Sequence, residues 1–113
     1  MSVNLDGRVF TPVENSAGGA VSSDTRFVFA QDGDAVTADY SGAGVTDGHI
    51  VGRMTGEATA ELLYHCRKGD GSLAAGAATA EFGRDGGVLT IAMDWRWLDG
   101  PGSGQSFYRE VEA

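Results

Sequence analysis

The sequence predicts an all-β protein, a single antiparallel up-and-down β-barrel of about eight strands spanning residues 1–113. Three observations point that way. In Val88–Leu98 (VLTIAMDWRWL), Leu89, Ile91, Met93, Trp95 and Trp97 recur at every second residue, the period of a strand with one apolar face. Alternating runs of this kind follow one another at spacings of about ten residues, the rhythm of a meander or barrel. Eighteen glycines against two prolines punctuate those runs, whereas linkers and disordered tails draw on proline and serine as well.

Taken in order, Gly7–Val13 reads as a first short strand, followed by a polar loop over Glu14–Gly19. Thr25–Gln31 puts Phe27 and Phe29 on one face, and Asp32-Gly33 is the strongest hairpin signal, because Asp-Gly favours the type I′ turn. Val36, Ala38 and Tyr40 mark the return strand. Gly42-Ala43-Gly44 turns into Val45–Met54, where Gly48 and Gly52 suggest a bend or bulge. Glu57–Lys68 has fair helix propensity, yet Leu62, Tyr64 and Cys66 alternate against Leu63, His65 and Arg67, and Gly69-Asp70-Gly71 resembles a hairpin turn. The segment is therefore read as strand, tertiary context overriding propensity. Ser72–Arg84 carries only Leu73 and Phe82 as bulky apolar residues, and its alanines leave room for Trp95, Trp97 or a ligand. Asp85-Gly86-Gly87 leads into the tryptophan strand, and Asp99–Gly104 into a last strand over Gln105–Val111.

Short connections favour closing the sheet on itself over a two-sheet sandwich, since closure leaves no strand edge unpaired. The interior of such a barrel is filled by side chains or holds one small ligand. The aromatic face of Val88–Leu98 would line it.

Eight Lys and Arg against sixteen Asp and Glu give a net charge of −8, which repels phosphate backbones and anionic lipid, so neither nucleic acid nor a membrane is an expected partner. No apolar run approaches the roughly 18–20 residues of a bilayer-crossing helix. The single cysteine excludes an internal disulfide, and without a signal-peptide pattern the expected location is cytoplasmic.

Few residues suggest chemistry. His49, His65 and Cys66 lack zinc-type spacing, and His65 and Cys66 face opposite ways on a strand, so no metal is expected. No glycine-rich segment joins a strand to a helix, so no phosphate cradle or other cofactor site is expected. Cys66 reads as a small core residue without a base partner. Asp94 and Arg96 share the face opposite the tryptophans and read as a solvated charge pair, and Glu110 and Glu112 read as solvated on the last strand.

The ordered residues Leu5-Asp-Gly-Arg-Val-Phe10, Asn15-Ser, Gly19, Val21-Ser-Ser-Asp-Thr25, Phe29, Gln31-Asp-Gly33, Ala38-Asp-Tyr40-Ser-Gly42, Ile50-Val-Gly52, Tyr64, Gly71-Ser-Leu73 and Trp95-Arg-Trp97 span nearly the whole chain. The pattern resembles small bacterial proteins of similar length that often carry the label N-acetylglutamate synthase. The resemblance implies a small calycin-like, lipocalin-like or streptavidin-like barrel, and it carries no catalytic residue across. The acetyl transfer in that label calls for a glycine-rich loop between a strand and a helix, a unit this chain lacks. Proteins of that pattern commonly carry Glu where Asp94 stands and His where Cys66 stands, so this chain departs from the pattern at both positions.

Three functions compete. The leading expectation is a noncatalytic barrel that binds a small apolar or aromatic molecule against Phe27, Phe29, Tyr40, Tyr64, Trp95 and Trp97. An enzyme of isomerase, cyclase or lyase type would use His65, Asp94 or Glu110 as acid or base, and would need one of them inside an enclosed pocket. A structural protein would self-associate through an apolar outer face, with a homodimer as the default assembly.

Overall fold

A computed structural model describes residues 4–15, 25–42, 44–98 and 102–111. Eight strands follow in order: β1 (Val9–Asn15), β2 (Arg26–Asp32), β3 (Ala35–Gly42), β4 (Val45–Met54), β5 (Thr59–Lys68), β6 (Leu73–Asp85), β7 (Val88–Trp97) and β8 (Ser103–Val111). Each pairs antiparallel with the next, and β8 returns to β1 through Val9–Val111 and Pro12–Tyr108, closing the up-and-down barrel. The described residues contain no helix, hence none long and apolar enough to cross a membrane. Within Glu57–Lys68 the strand runs over Thr59–Lys68, with Ala60, Leu62 and Cys66 buried and Tyr64 partly buried on its inward face.

Alternation sets the inner wall. Phe10, Phe27, Phe29, Val36, Ala38, Tyr40, Ile50, Leu62, Leu89, Ile91, Met93, Trp95 and Tyr108 are all buried. Each large apolar side chain of that set contributes about 1.5–3 kcal/mol relative to exposure.

Several boundaries differ from the sequence reading, each for a local reason. β1 starts at Val9 rather than Gly7 because Gly7 adopts φ +76° and the Arg8 N–H bonds back to the Leu5 carbonyl. The β2–β3 turn is centred on Gly33 and Asp34, with Asp32 already paired to Ala35, so the Asp-Gly signal is displaced by one residue. Gly86 and Gly87 supply the type I′ requirement instead, with φ +59° and +86° between the paired residues Asp85 and Val88. Gly48 and Gly52 make no bulge; both stay in register with β3 and β5, and the irregularity of β4 falls between Val45 and Asp47. Ala43, most of the Glu14–Gly19 loop, residues 99–101 and Glu112 lie outside the described residues.

The two ends of the barrel are unlike. At one end the segment Asn4–Arg8 crosses beneath the strands and drives Leu5 fully into the core. Its backbone is tied to β2: the Leu5 N–H donates to Gln31 Oε1 (2.8 Å), the Gly7 N–H to the Phe29 carbonyl (2.9 Å), and the Gln31 N–H to Asp6 Oδ1 (3.1 Å). Arg8 and Glu110 form an ion pair of 2.7 Å at this closed end. Glu110, expected to be solvated, lies on the inward-facing register with Ser106 and Tyr108 and is held by Arg8. The opposite, open end is framed by the β2, β4, β6 and β8 starts and by the β1, β3, β5 and β7 ends.

Candidate functional site

The inner wall of the open half carries two aromatic groups separated by small residues. Phe27 stacks on Tyr40 (centroids 4.7 Å, 17° between planes) and meets Tyr108 edge-on at 5.1 Å. Across the barrel, Tyr64 meets Trp97 edge-on at 5.6 Å, and Trp95 lies 5.8 Å from Trp97. The small stripe is β6, whose Ala78 and Gly76 pair directly with Trp95 and Trp97. Small residues face the indoles across one ladder, as the alanine-rich reading of this strand anticipates.

Tyrosines at two places lie along the wall instead of filling the centre. Tyr40 passes over Gly48, its partner on β4, and its hydroxyl donates to the His65 carbonyl on β5 (3.3 Å). Tyr64 passes over Gly76, its partner on β6, and its hydroxyl donates to the Arg96 carbonyl on β7 (3.3 Å). In both cases the ring occupies the space that a Cβ on the facing glycine would need. Gly48 was read as a bend or bulge and Gly76 only as part of a small-residue strand, because a sequence gives no signal for the ring that will lie over either glycine.

Five of the six residues expected to line a ligand site, Phe27, Tyr40, Tyr64, Trp95 and Trp97, thus share the open half. Phe29 does not. It is 2% exposed and packs edge-on against Phe10 at 5.3 Å in the closed-end core. Sequence reading missed Ser106 and Tyr108, since in Gln105-Ser-Phe-Tyr108 the more apolar Phe107 competes for the inward register; Phe107 faces out and Tyr108 is buried. It also missed Lys68, the only lysine of the chain, whose Nζ sits 5.5 Å from the Trp97 ring at the rim.

Burial governs the ionisable groups of this wall. It pushes the Tyr40 hydroxyl well above its ordinary value, with Cys66 adding to the rise. It also pushes Tyr108 up to about 12, offset in part by the hydrogen bond with Ser106. Both phenols are neutral donors at ordinary pH.

The residues weighed as acids, bases or ligands lie elsewhere. His65 faces out, 5.8 Å from His49, which contacts Asp39 at 2.6 Å (Nδ1–Oδ1). These three border an open outer-wall cleft of about 900 Å³ together with Val28, Leu73 and the Asp47–Arg67 ion pair, which holds the Asp47 carboxyl below its usual range. Asp94 also faces out and accepts from Gln105 Nε2 (2.8 Å), its cross-strand partner, in place of the expected pairing with Arg96. Cys66, the single cysteine of the chain, is buried. Among the described residues, no three His, Cys, Asp or Glu side chains are grouped to hold a metal.

A closed eight-stranded antiparallel barrel, capped at one end and aromatic-walled at the other, is the architecture of small-ligand-binding barrels as a class. Within that class the family is defined: residues 3–111 match the avidin-like protein family, and the chain belongs to it. Searches of curated proteins and of solved structures each found no significant match.

Proposed function

We infer that the protein is a binding barrel for one small, largely apolar or aromatic molecule, held in the open half against Phe27, Tyr40, Tyr64, Trp95 and Trp97. The observation that carries this reading is the pairing of Trp95 and Trp97 with Ala78 and Gly76, which sets two large indoles opposite the smallest stretch of wall. Membership of the avidin-like family supports it. Among the described residues, the inward positions of the open half present tyrosine hydroxyls, Ser106, Cys66 and Lys68 and no carboxylate or imidazole, so the wall is suited to holding a molecule rather than to moving its protons. Phe29 belongs to the scaffold in this reading. Tryptophan fluorescence across a panel of small aromatic and alicyclic metabolites tests it: saturable quenching or enhancement that Trp97→Phe diminishes is expected, and an unresponsive spectrum across the panel contradicts it.

A second reading is favoured by one observation. Val51, Leu63 and Ala77 are consecutive cross-strand partners on the outer wall, and Val51 and Leu63 are 52% and 57% exposed. A row of this kind suits the packing of a second copy of the chain, and self-association there is compatible with ligand binding inside.

A further inference from the structure

The chain has two histidines, sixteen positions apart in sequence, and the barrel makes them direct neighbours. His49 on β4 and His65 on β5 are cross-strand partners that face out from the wall, with ring centroids 5.8 Å apart and 46° between planes. Linear spacing gives no hint of this, because the contact is made across a hairpin. On β3, Asp39 pairs with His49 in turn, and its Oδ1 lies 2.6 Å from His49 Nδ1. An ionised carboxylate only accepts, so Nδ1 carries the proton and the lone pair of the neutral ring lies on Nε2. Among the described residues, no hydrogen bond engages Nε2 of His49 or either ring nitrogen of His65. The backbone beneath is held as well, since Tyr40 Oη donates to the His65 carbonyl at 3.3 Å. Two residues along on each strand, Asp47 and Arg67 satisfy each other through two bonds of 3.0 Å.

We propose that His49 and His65 chelate one divalent first-row transition ion on the outer wall, with Asp39 as the carboxylate that orients His49. Metal–imidazole bonds of about 2.0–2.1 Å at near-tetrahedral angles hold two ring centres about 5 Å apart. Small side-chain rotations close the observed 5.8 Å, with no movement of the strands. A carboxylate on the far nitrogen is the usual partner of a ligating imidazole, because it fixes the tautomer and raises the ring's basicity. Two imidazoles are fewer than the three or four protein ligands of a catalytic or structural zinc site, so water completes the shell and leaves positions open to an outside ligand. Imidazole suits Cu²⁺, Ni²⁺ and Zn²⁺, with Cu²⁺ held most tightly, whereas Mg²⁺ and Ca²⁺ call for oxygen ligands. The net charge of −8 favours the approach of a cation. Cys66, beside His65, is buried on the opposite face of β5 and takes no part. The site lies outside the barrel and stands independently of ligand binding within it.

Zinc sulfate titrated into the full chain without a histidine tag, with the imidazole NMR signals followed, tests the proposal. Only two imidazoles are present, so one variant assigns both signals. The expected result is that Zn²⁺ moves both signals in parallel and saturates at one ion per chain, that Cu²⁺ binds more tightly by calorimetry, and that Mg²⁺ moves neither. His49→Gln and His65→Gln should each weaken Zn²⁺ binding by about tenfold or more, because the second ring binds intramolecularly once the first has bound. Asp39→Ala should weaken it by about tenfold with both rings still in place. All three positions are exposed or half-exposed, so thermal midpoints without metal should stay close to the parent's. Zinc that moves only one imidazole, or that binds either histidine variant as tightly as the parent, overturns the proposal. Failure of Zn²⁺ to move either signal at millimolar concentration overturns it too. So does one ion shared by two chains in sedimentation, which would make the histidines a bridge between copies. Parent-like affinity in Asp39→Ala overturns the part assigned to that carboxylate.

Discussion

Tyr64 lies across Gly76 and reaches one strand further, its hydroxyl on the Arg96 carbonyl, so one ring ties β5, β6 and β7 together. Tyr40 does the same over Gly48 toward His65. A Cβ at Gly76 would collide with the Tyr64 ring and come within 2.6 Å of the Arg96 carbonyl oxygen, which is backbone and cannot swing aside. Gly76→Ala should therefore destabilise the barrel by about 1–3 kcal/mol, the usual cost of overpacking. At Gly69 nothing lies within 4 Å of the added Cβ, so Gly69→Ala should stay within about 0.5 kcal/mol of the parent. Urea midpoints of the two variants check the contrast, and equal midpoints would deny the ring its bracing role.

The closed end should behave as scaffold. Leu5 is fully buried and Phe29 nearly so, and Leu5→Ala should cost about 2–5 kcal/mol as a core truncation. Glu110→Gln, which weakens a half-exposed pair with Arg8, should cost no more than about 1 kcal/mol. Neither should alter the affinity of a probe bound among the tryptophans. Calorimetric melting paired with fluorescence titration separates the two effects, and a large loss of affinity in a still-folded Leu5→Ala protein would place the site at the wrong end.

Alkaline pH should weaken the fold through its buried tyrosines. Tyr108 holds its proton up to about 12 in the folded chain, against 10.0 for an unperturbed tyrosine. Between those values the unfolded chain releases a proton that the folded chain keeps, so the slope of stability against pH is negative. The contribution is fully present below pH 10 and lost as pH rises through about 12. The span corresponds to about 3 kcal/mol, and Tyr40, raised more strongly, acts in the same direction. Denaturant unfolding at stepped pH, compared with Tyr108→Phe, measures it; an identical alkaline decline in the variant would assign the loss to other groups.

Much of the fold is legible in the sequence because alternation is a strong signal where one face is buried. The alternate residues Leu89, Ile91, Met93, Trp95 and Trp97, with Phe27 and Phe29, could share only the inner wall, and Gly86-Gly87 could only turn. Legibility fails where two registers are chemically close. Phe107 and Tyr108 compete for the same inward position, and their neighbours on β7 and β1 decide it through Ile91 and Pro12, contacts distant in sequence. It fails again where a glycine makes room for a remote ring, as at Gly48, and where an acidic residue near a chain end finds a remote cation, as Glu110 does in Arg8. The site was read as an aromatic wall; Phe27, Tyr40, Tyr64, Trp95 and Trp97 lie in the open half, and Phe29 packs on Phe10 in the closed-end core.

The outer row should decide assembly. If Val51, Leu63 and Ala77 pack against a second copy, Leu63→Arg should shift the chain to a monomer in sedimentation at high concentration while its melting temperature stays close to the parent's, because Leu63 is exposed. A parent chain that is already monomeric under those conditions would remove this reading.

The central claim is that the open half of the barrel is the binding site. Its most direct measurement is the titration of 1-indanone followed residue by residue in amide and indole NMR spectra of the intact chain. Saturable shifts at Trp95, Trp97, Tyr64 and Ser106, with Leu5, Phe10 and Phe29 unmoved, are the predicted result. Shifts confined to the outer wall around His49 and His65, or to the closed end, would contradict it.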